Sequence, residues 1–216
     1  MPSSPLHESV NTLLIDIISQ DRLGRYLVAA GHDVDRALAL YGWNIQLSEA
    51  FFPVLSAAEV CLRNTIASHL EALYGATWWD DATFHGQIRS SGKRIVLTAR
   101  DKLTKSGQVT SGRMTAELSF GFWVNMLLPR HEAVVWTDLR ASFTHLPEKV
   151  IYDDLYKRCD AVRAFRNRLF HHEPILHRDI SKEHSQIMQL IGWLSPDKAA
   201  WIKPYSRVMT VMRTRP

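Results

Sequence analysis

Apolar residues recur three or four positions apart along most of the chain, and no stretch shows a convincing one-in-two alternation. That spacing is the period of helices burying one stripe; a half-buried strand would repeat every second residue. The longest pattern runs through Ala37, Leu40, Trp43, Leu47, Phe51, Val54, Leu55, Ala58, Leu62, Ile66 and Leu70, with Asp33 placed to cap it. Pro53 lies inside this run, and a residue that lacks a donor and crowds the preceding turn predicts a kink or break near 50–52. Upstream, residues 6–30 fit two short helices or one bent one. Ser19 serves as an N-cap and Gly31 as a stop for a helix over 20–30.

Downstream the pattern changes several times. Residues 76–91 dissolve into Trp, Asp, Gly and Ser, which predicts a loop with at most a turn of helix. A short basic helix follows over 95–103, then a flexible connection over 106–113. Residues 114–128 are apolar almost throughout until Pro129, and at fifteen residues they are too long for an ordinary strand, so one buried helix is expected. Residues 131–139 suggest another short helix. Residues 147–171 carry Ile151, Leu155, Val162, Phe165 and Leu169 at helical spacing, with Arg158 as the polar interruption and Glu173-Pro174 as the end. Helices over 187–193 and 199–201 are expected to pack on the outside, before a basic tail with Lys203, Arg207, Arg213 and Arg215. The prediction is an all-α bundle with additional peripheral helices in a single domain: a core over about 20–178, and C-terminal helices and tail over 179–216.

Composition narrows the class. A hydrophobic fraction of 46% against 22% charged residues belongs to a globular chain able to bury a core. The net charge of +4 favours a phosphate-rich partner only modestly. Cys61 and Cys159 have neither the number nor the spacing of a disulfide framework or zinc knuckle and are expected to be buried reduced thiols. No apolar run approaches the roughly 20 residues of a membrane span, and the first residues lack the basic and apolar regions of a signal peptide. A cytoplasmic location without a membrane partner is therefore expected.

The candidate chemistry sits at the end of the 147–171 helix, in Val162-Arg163-Ala164-Phe165-Arg166-Asn167-Arg168-Leu169-Phe170-His171-His172-Glu173-Pro174. Arg166-Asn167, three residues, then His171 resembles the arginine-polar-x-x-x-histidine signature of HEPN domains, many of which are metal-independent ribonucleases. The extension from Asn167 through Ile175 is similar to the corresponding block of the Abi-like (abortive infection) branch. Further blocks of that family are resembled, in order, by Leu40-Tyr41-Gly42-Trp43-Asn44, by Glu59 to Asn64, by Trp78-Trp79 and by Glu117 to Trp123. The resemblance covers residues 20–178. It implies an endoribonuclease in an antiphage or toxin role, RNA as partner, a homodimer, and an antitoxin or phage-derived trigger. The alternative is a non-catalytic RNA-binding or regulatory dimerisation module of the same fold.

The chemistry fits such residues. RNA carries its own nucleophile, the 2′-hydroxyl, so cleavage needs a base, an acid and positive charge on the phosphorane, with no cofactor. His titrates in the right range for proton transfer, and Arg offers a permanent planar fork to phosphate oxygens. By the family's pattern His171 transfers protons, Arg166 stabilises charge and Asn167 orients the phosphate or water. One His cannot easily be both acid and base in one step, so His172 or a second subunit is needed. On a helical wheel Arg166 flanks the apolar stripe, while Asn167 and His171 lie almost opposite it and neighbour each other. Arg163, Arg63, Asn64 and Glu59 are supporting candidates, Glu59 to hold Arg163 or Arg166 in place.

Blander readings exist for each of these residues. The arginines could solvate a helix face, and the histidines could satisfy carbonyls at a helix C-terminus. Glu59 and Arg63 could form a surface i,i+4 ion pair, and Trp78 and Trp79 are core anchors more readily than base-stacking platforms. His69, six residues after Arg63, is a coincidental echo of the motif. His171, His172, Glu173, His177 and His184 lack the spacing of a helical zinc site, and no metal is expected.

Overall fold

Among residues 13–14, 16–128 and 137–216, which this computed structural model describes, every regular element is helical. Helix α1 (Gln20–Ala29) begins where the Ser19 hydroxyl accepts from Arg22 N, 3.4 Å away. It is followed by Gly31, whose φ of +67° disfavours any side chain. The earlier part of the helical pattern expected over 6–30 falls largely outside the described residues.

Helix α2 (Val34–Tyr74) is the element against which the others are laid. Asp33 Oδ1 accepts from Arg36 N at 2.9 Å to start it, and Gly75, at φ +82°, ends it. The break expected at Pro53 is absent: the helix runs through the proline as one element. Proline in a helix interior costs about 3 kcal/mol. Phe51, Val54 and Leu55 beside it are all buried, each contributing about 1.5–3 kcal/mol, so packing outweighs the lost hydrogen bond. By length and composition α2 is also apolar enough to cross a membrane, which scanning for an uninterrupted apolar run does not detect; half of its most apolar window is buried within the fold.

Residues 76–91 are more ordered than their composition predicts. A 3-10 turn (Trp78–Asp80) leads to α3 (Ala82–Gln87), capped by Asp81 accepting from Phe84 N at 2.8 Å, and α4 (Ser90–Lys105) exceeds the expected basic helix at both ends. Trp78, Trp79, Phe84 and Trp123 pack in edge contacts with centroids 5.3–6.1 Å apart, and all four are buried. The tryptophan pair is thus core, unavailable to bases. The single buried helix expected over 114–128 is instead two, α5 (Ser111–Glu117) and α6 (Phe120–Asn125). Leu118 is extended, Ser119 caps α6, and the carbonyl of Leu118 accepts from Trp123 Nε1 at 3.2 Å. Of the helix expected over 131–139, residues through 136 lie outside the described part; α7 spans Thr137–Ser142. His69, the echo of the motif, is buried near α7, with Nδ1 3.4 Å from the Ser142 hydroxyl.

Helix α8 (Tyr152–Phe170) packs on α2, α6 and the next helix, α9 (Ile180–Leu194). Arg158, the interruption in its stripe, reaches across to α9, donating to Gln189 Oε1 at 2.6 Å beneath the Trp193 ring. Contrary to expectation α9 is not peripheral: Ile187, Leu190 and Ile191 are at most 1% exposed. Helices α10 (Pro196–Ile202) and α11 (Val208–Met212), with a 3-10 turn (Lys203–Tyr205) between them, return to α2. There Trp43 Nε1 donates to the Val211 carbonyl at 2.8 Å, and Arg207 pairs with Glu49 at 2.7 Å. Cys159 is buried, and burial raises its thiol pKa; Cys61 is only half-buried, a correction to the expectation of two core thiols.

Candidate functional site

Helix α8 turns Val162, Phe165 and Leu169 into the core, Phe165 meeting Phe51 of α2 edge-on at 4.8 Å. This leaves Arg166 half-buried on its flank, as the wheel predicts, and Arg163 half-buried as well; Asn167, expected almost opposite the stripe, is also half-buried, and His171 is exposed just past the helix end. The end itself is a built feature. Glu173 N donates to Arg168 O (2.9 Å) and His172 N to Leu169 O (3.0 Å), the paired bonds of a Schellman turn. His172 occupies its left-handed position at φ +56°, where glycine is usual.

Beyond the turn, buried Ile175 donates its N–H to Asn44 Oδ1 at 3.0 Å. Asn44 is itself only 4% exposed and sits among the apolar residues of α2. One buried amide therefore fixes where the His-His-Glu-Pro segment leaves the motif helix. Replacing Asn44 with Leu should strand the Ile175 N–H at about 1–3 kcal/mol, lowering Tm by about 2–4 °C per kcal/mol. An unchanged melting curve by circular dichroism would show that the segment is not held this way.

The three arginines of the run are not equivalent. Arg163 pairs with Asp160 at 2.6 Å and Arg168 with Glu173 at 2.8 Å. Arg166 has no such partner: its nearest carboxylate is Glu59 on α2, Nε to Oε2 3.8 Å, beyond hydrogen-bonding distance, and Nε is buried without an acceptor. Its guanidinium lies over the Phe170 ring at 4.1 Å, with a long 3.4 Å contact to Asn167 Oδ1. A half-exposed pair at this separation contributes at most about 1 kcal/mol and a cation–π contact about 0.5–1 kcal/mol. Phe170 therefore orients the guanidinium plane while its hydrogen-bonding edge stays largely uncommitted.

Arg166 opens onto a cleft of about 220 Å³ between α2 and α8, lined by Phe52, Glu59, Val60, Arg63 and Phe170 among others. Glu59 and Arg63 do not form the i,i+4 pair that their spacing allows. Glu59 turns toward Arg166, and Arg63 donates weakly to Asn64 Oδ1 at 3.4 Å, with Asn64 exposed. Arg163, engaged by Asp160, is not held by Glu59; it borders Gly121 of α6, where an added Cβ would come within 3.8 Å of Arg163 Cδ. Glu59, Arg63 and Arg166 thus line one cleft and Asn167 touches Arg166, whereas Asn64 and His171 do not line it. A larger groove of about 690 Å³, between α1, α2 and the end of α8, is lined by His172 and Phe170 on one side and Arg22, Tyr41 and Phe52 on the other.

Other histidines have structural surroundings. His184 is half-buried against Phe51 and meets the Ser206 hydroxyl at 2.8 Å, and burial lowers its pKa. No group of three or more His, Cys, Asp or Glu among the described residues is gathered to hold a metal ion.

Periodicity alone passes over three contributors. Asn44 was detectable as a polar residue on the same stripe as Leu40 and Leu47. Phe52 and Phe170, 58% and 47% exposed, read as ordinary apolar helix positions until α2 and α8 are seen side by side. No family model, curated protein or solved structure matches this chain.

Proposed function

We propose that this chain is a metal-independent endoribonuclease of the HEPN type, in the Abi-like branch, cutting RNA by attack of its 2′-hydroxyl on the adjacent phosphate. The observation that carries this is the contrast among the arginines. The one at the motif position lines an open cleft with only a 3.8 Å approach to Glu59 and a 3.4 Å contact to Asn167, while its neighbours on either side are closed into short ion pairs. A cation held in that way suits the charge that develops on a phosphorane.

In the proposed reaction His171, exposed beyond the helix end, takes or gives the proton. Arg166 neutralises the phosphorane oxygens, and Asn167 orients the phosphate or water. The 2′-oxygen bonds to phosphorus as its proton passes to the base, and the 5′-oxygen departs with a proton from the acid, leaving a 2′,3′-cyclic phosphate and a 5′-hydroxyl. Apart from Trp78-Trp79, the further sequence blocks that resemble the family lie in elements that meet α8: Asn44 and Glu59 on α2, Gly121 on α6. That convergence supports the assignment. An abortive-infection or toxin role, a cytoplasmic location and control by an antitoxin or phage-derived trigger belong to the same proposal.

The purified chain should cleave labelled total RNA in saturating EDTA and leave cyclic phosphate ends. A requirement for added divalent ion, or 3′-hydroxyl products, would exclude the 2′-hydroxyl mechanism.

A further inference from the structure

The Arg166 cleft does not end at α8. Phe52, Ser56 and Val60 of α2 line it on one side and also line a second groove of about 340 Å³ on the other, whose far wall is Lys198, Trp201 and Tyr205. The two depressions therefore meet across one face of α2. The face carries an unusual set of solvent-open rings: Phe52, Phe170, Trp201 and Tyr205 are 47–58% exposed. Trp201 and Tyr205 lie 5.2 Å apart, and Lys198 Nζ stands 4.0 Å over the Trp201 ring.

The cations along this face are not closed into short ion pairs, although Glu59 also lines the cleft. Lys198 forms no ion pair among the described residues, Arg63 has only Asn64, and Arg166 is 3.8 Å from Glu59. Exposed rings interleaved with uncommitted cations match a polyanion that carries flat apolar groups, which is the chemistry of a single strand of nucleic acid. A duplex keeps its base faces stacked inside and offers only edges, sugars and phosphates.

We infer that the groove between α2 and α10 is a base-binding subsite, in which an unpaired nucleobase stacks on Trp201 beside Lys198 while the same strand is held by phosphate at Arg166. This rests on RNA being the substrate, and it adds that the substrate is single-stranded and read by ring stacking, tolerant of base identity.

The test uses the full chain and a fluorescein-labelled 2′-O-methyl RNA 12-mer, which lacks the nucleophile and stays intact. Binding is followed by anisotropy for the strand alone, for the strand annealed to its complement, and for inorganic polyphosphate as competitor. The wild type should prefer the single strand, with quenching of tryptophan fluorescence. Trp201→Ala should weaken single-strand binding roughly 5- to 150-fold, the range for one lost base–aromatic stack, while polyphosphate competes as before. Trp201→Phe should restore most of the affinity, which separates stacking from a folding defect. Equal affinity of Trp201→Ala and wild type for the strand would overturn the subsite while leaving RNA as substrate. Absence of any RNA binding or cleavage by the wild type would remove both. A dimer in sedimentation that Trp201→Ala dissociates would show that another copy covers the face, and would also overturn it.

Discussion

His171→Ala is expected to lower RNA cleavage by about 10²- to 10⁴-fold, the contribution of a positioned acid or base, without unfolding the protein. The imidazole lies outside the core just past α8 and makes no contact that the fold needs. Its removal should change stability by less than about 1 kcal/mol, the most that a charged histidine at an exposed helix C-terminus usually adds. Arg166→Ala should reduce cleavage to a similar degree, since the variant removes the uncommitted donor edge and keeps the Phe165 and Leu169 packing on either side. Phosphorimaging of labelled RNA gives the rates and circular dichroism the melting curves. If either variant unfolds, the residue is structural, and the arginine run is a solvated helix face ended by a histidine cap.

A heterodimer of one wild-type chain and one chain carrying both Arg166→Ala and His171→Ala is expected to fall far below half of wild-type activity. Each chain offers one well-placed histidine, while the reaction needs both an acid and a base. An isologous contact would set the two 166–171 segments across a two-fold axis and supply the second. Bringing two Arg166 side chains together is unfavourable, and Glu59 at 3.8 Å offsets part of the repulsion. Phosphate would offset more, so RNA should tighten the pair. The mixed species, purified through two different tags, decides the matter. Half of wild-type activity means that each chain works alone, and a cleaving monomer in sedimentation at micromolar concentration excludes the shared site.

The helical class and the motif helix were legible in the sequence because their information is local. Ser19 and Asp33 cap the helices they precede, and the spacing of Val162, Phe165 and Leu169 fixes which face of α8 remains outside. What escaped depends on partners distant in the chain. Pro53 is overruled by packing from several helices, the split at Leu118-Ser119 is stabilised by the Trp123 indole, and Trp78 finds Trp123 only once the fold closes. At the candidate site, Glu59, Arg63 and Arg166 could be named from the sequence, but their pairing and the part played by Phe52 and Phe170 could not. Periodicity favours Glu59 with Arg63, whereas the approach of α8 draws Glu59 toward Arg166 and leaves Arg163 to Asp160.

The hydrogen bond from Trp43 to Val211 spans 168 positions, and that from Ile175 to Asn44 spans 131. Contacts of such separation make folding slow, because loop closure precedes any reward from the contact. At a synthesis rate of about 5–20 residues per second, α2 leaves the ribosome on the order of ten seconds before α11 can reach it. During that interval this long apolar helix has only its early neighbours to cover it. Nascent α2 is therefore exposed to chaperones and to aggregation, and the exit of the Schellman turn toward Asn44 is set only after α2 has waited through the synthesis of the intervening chain.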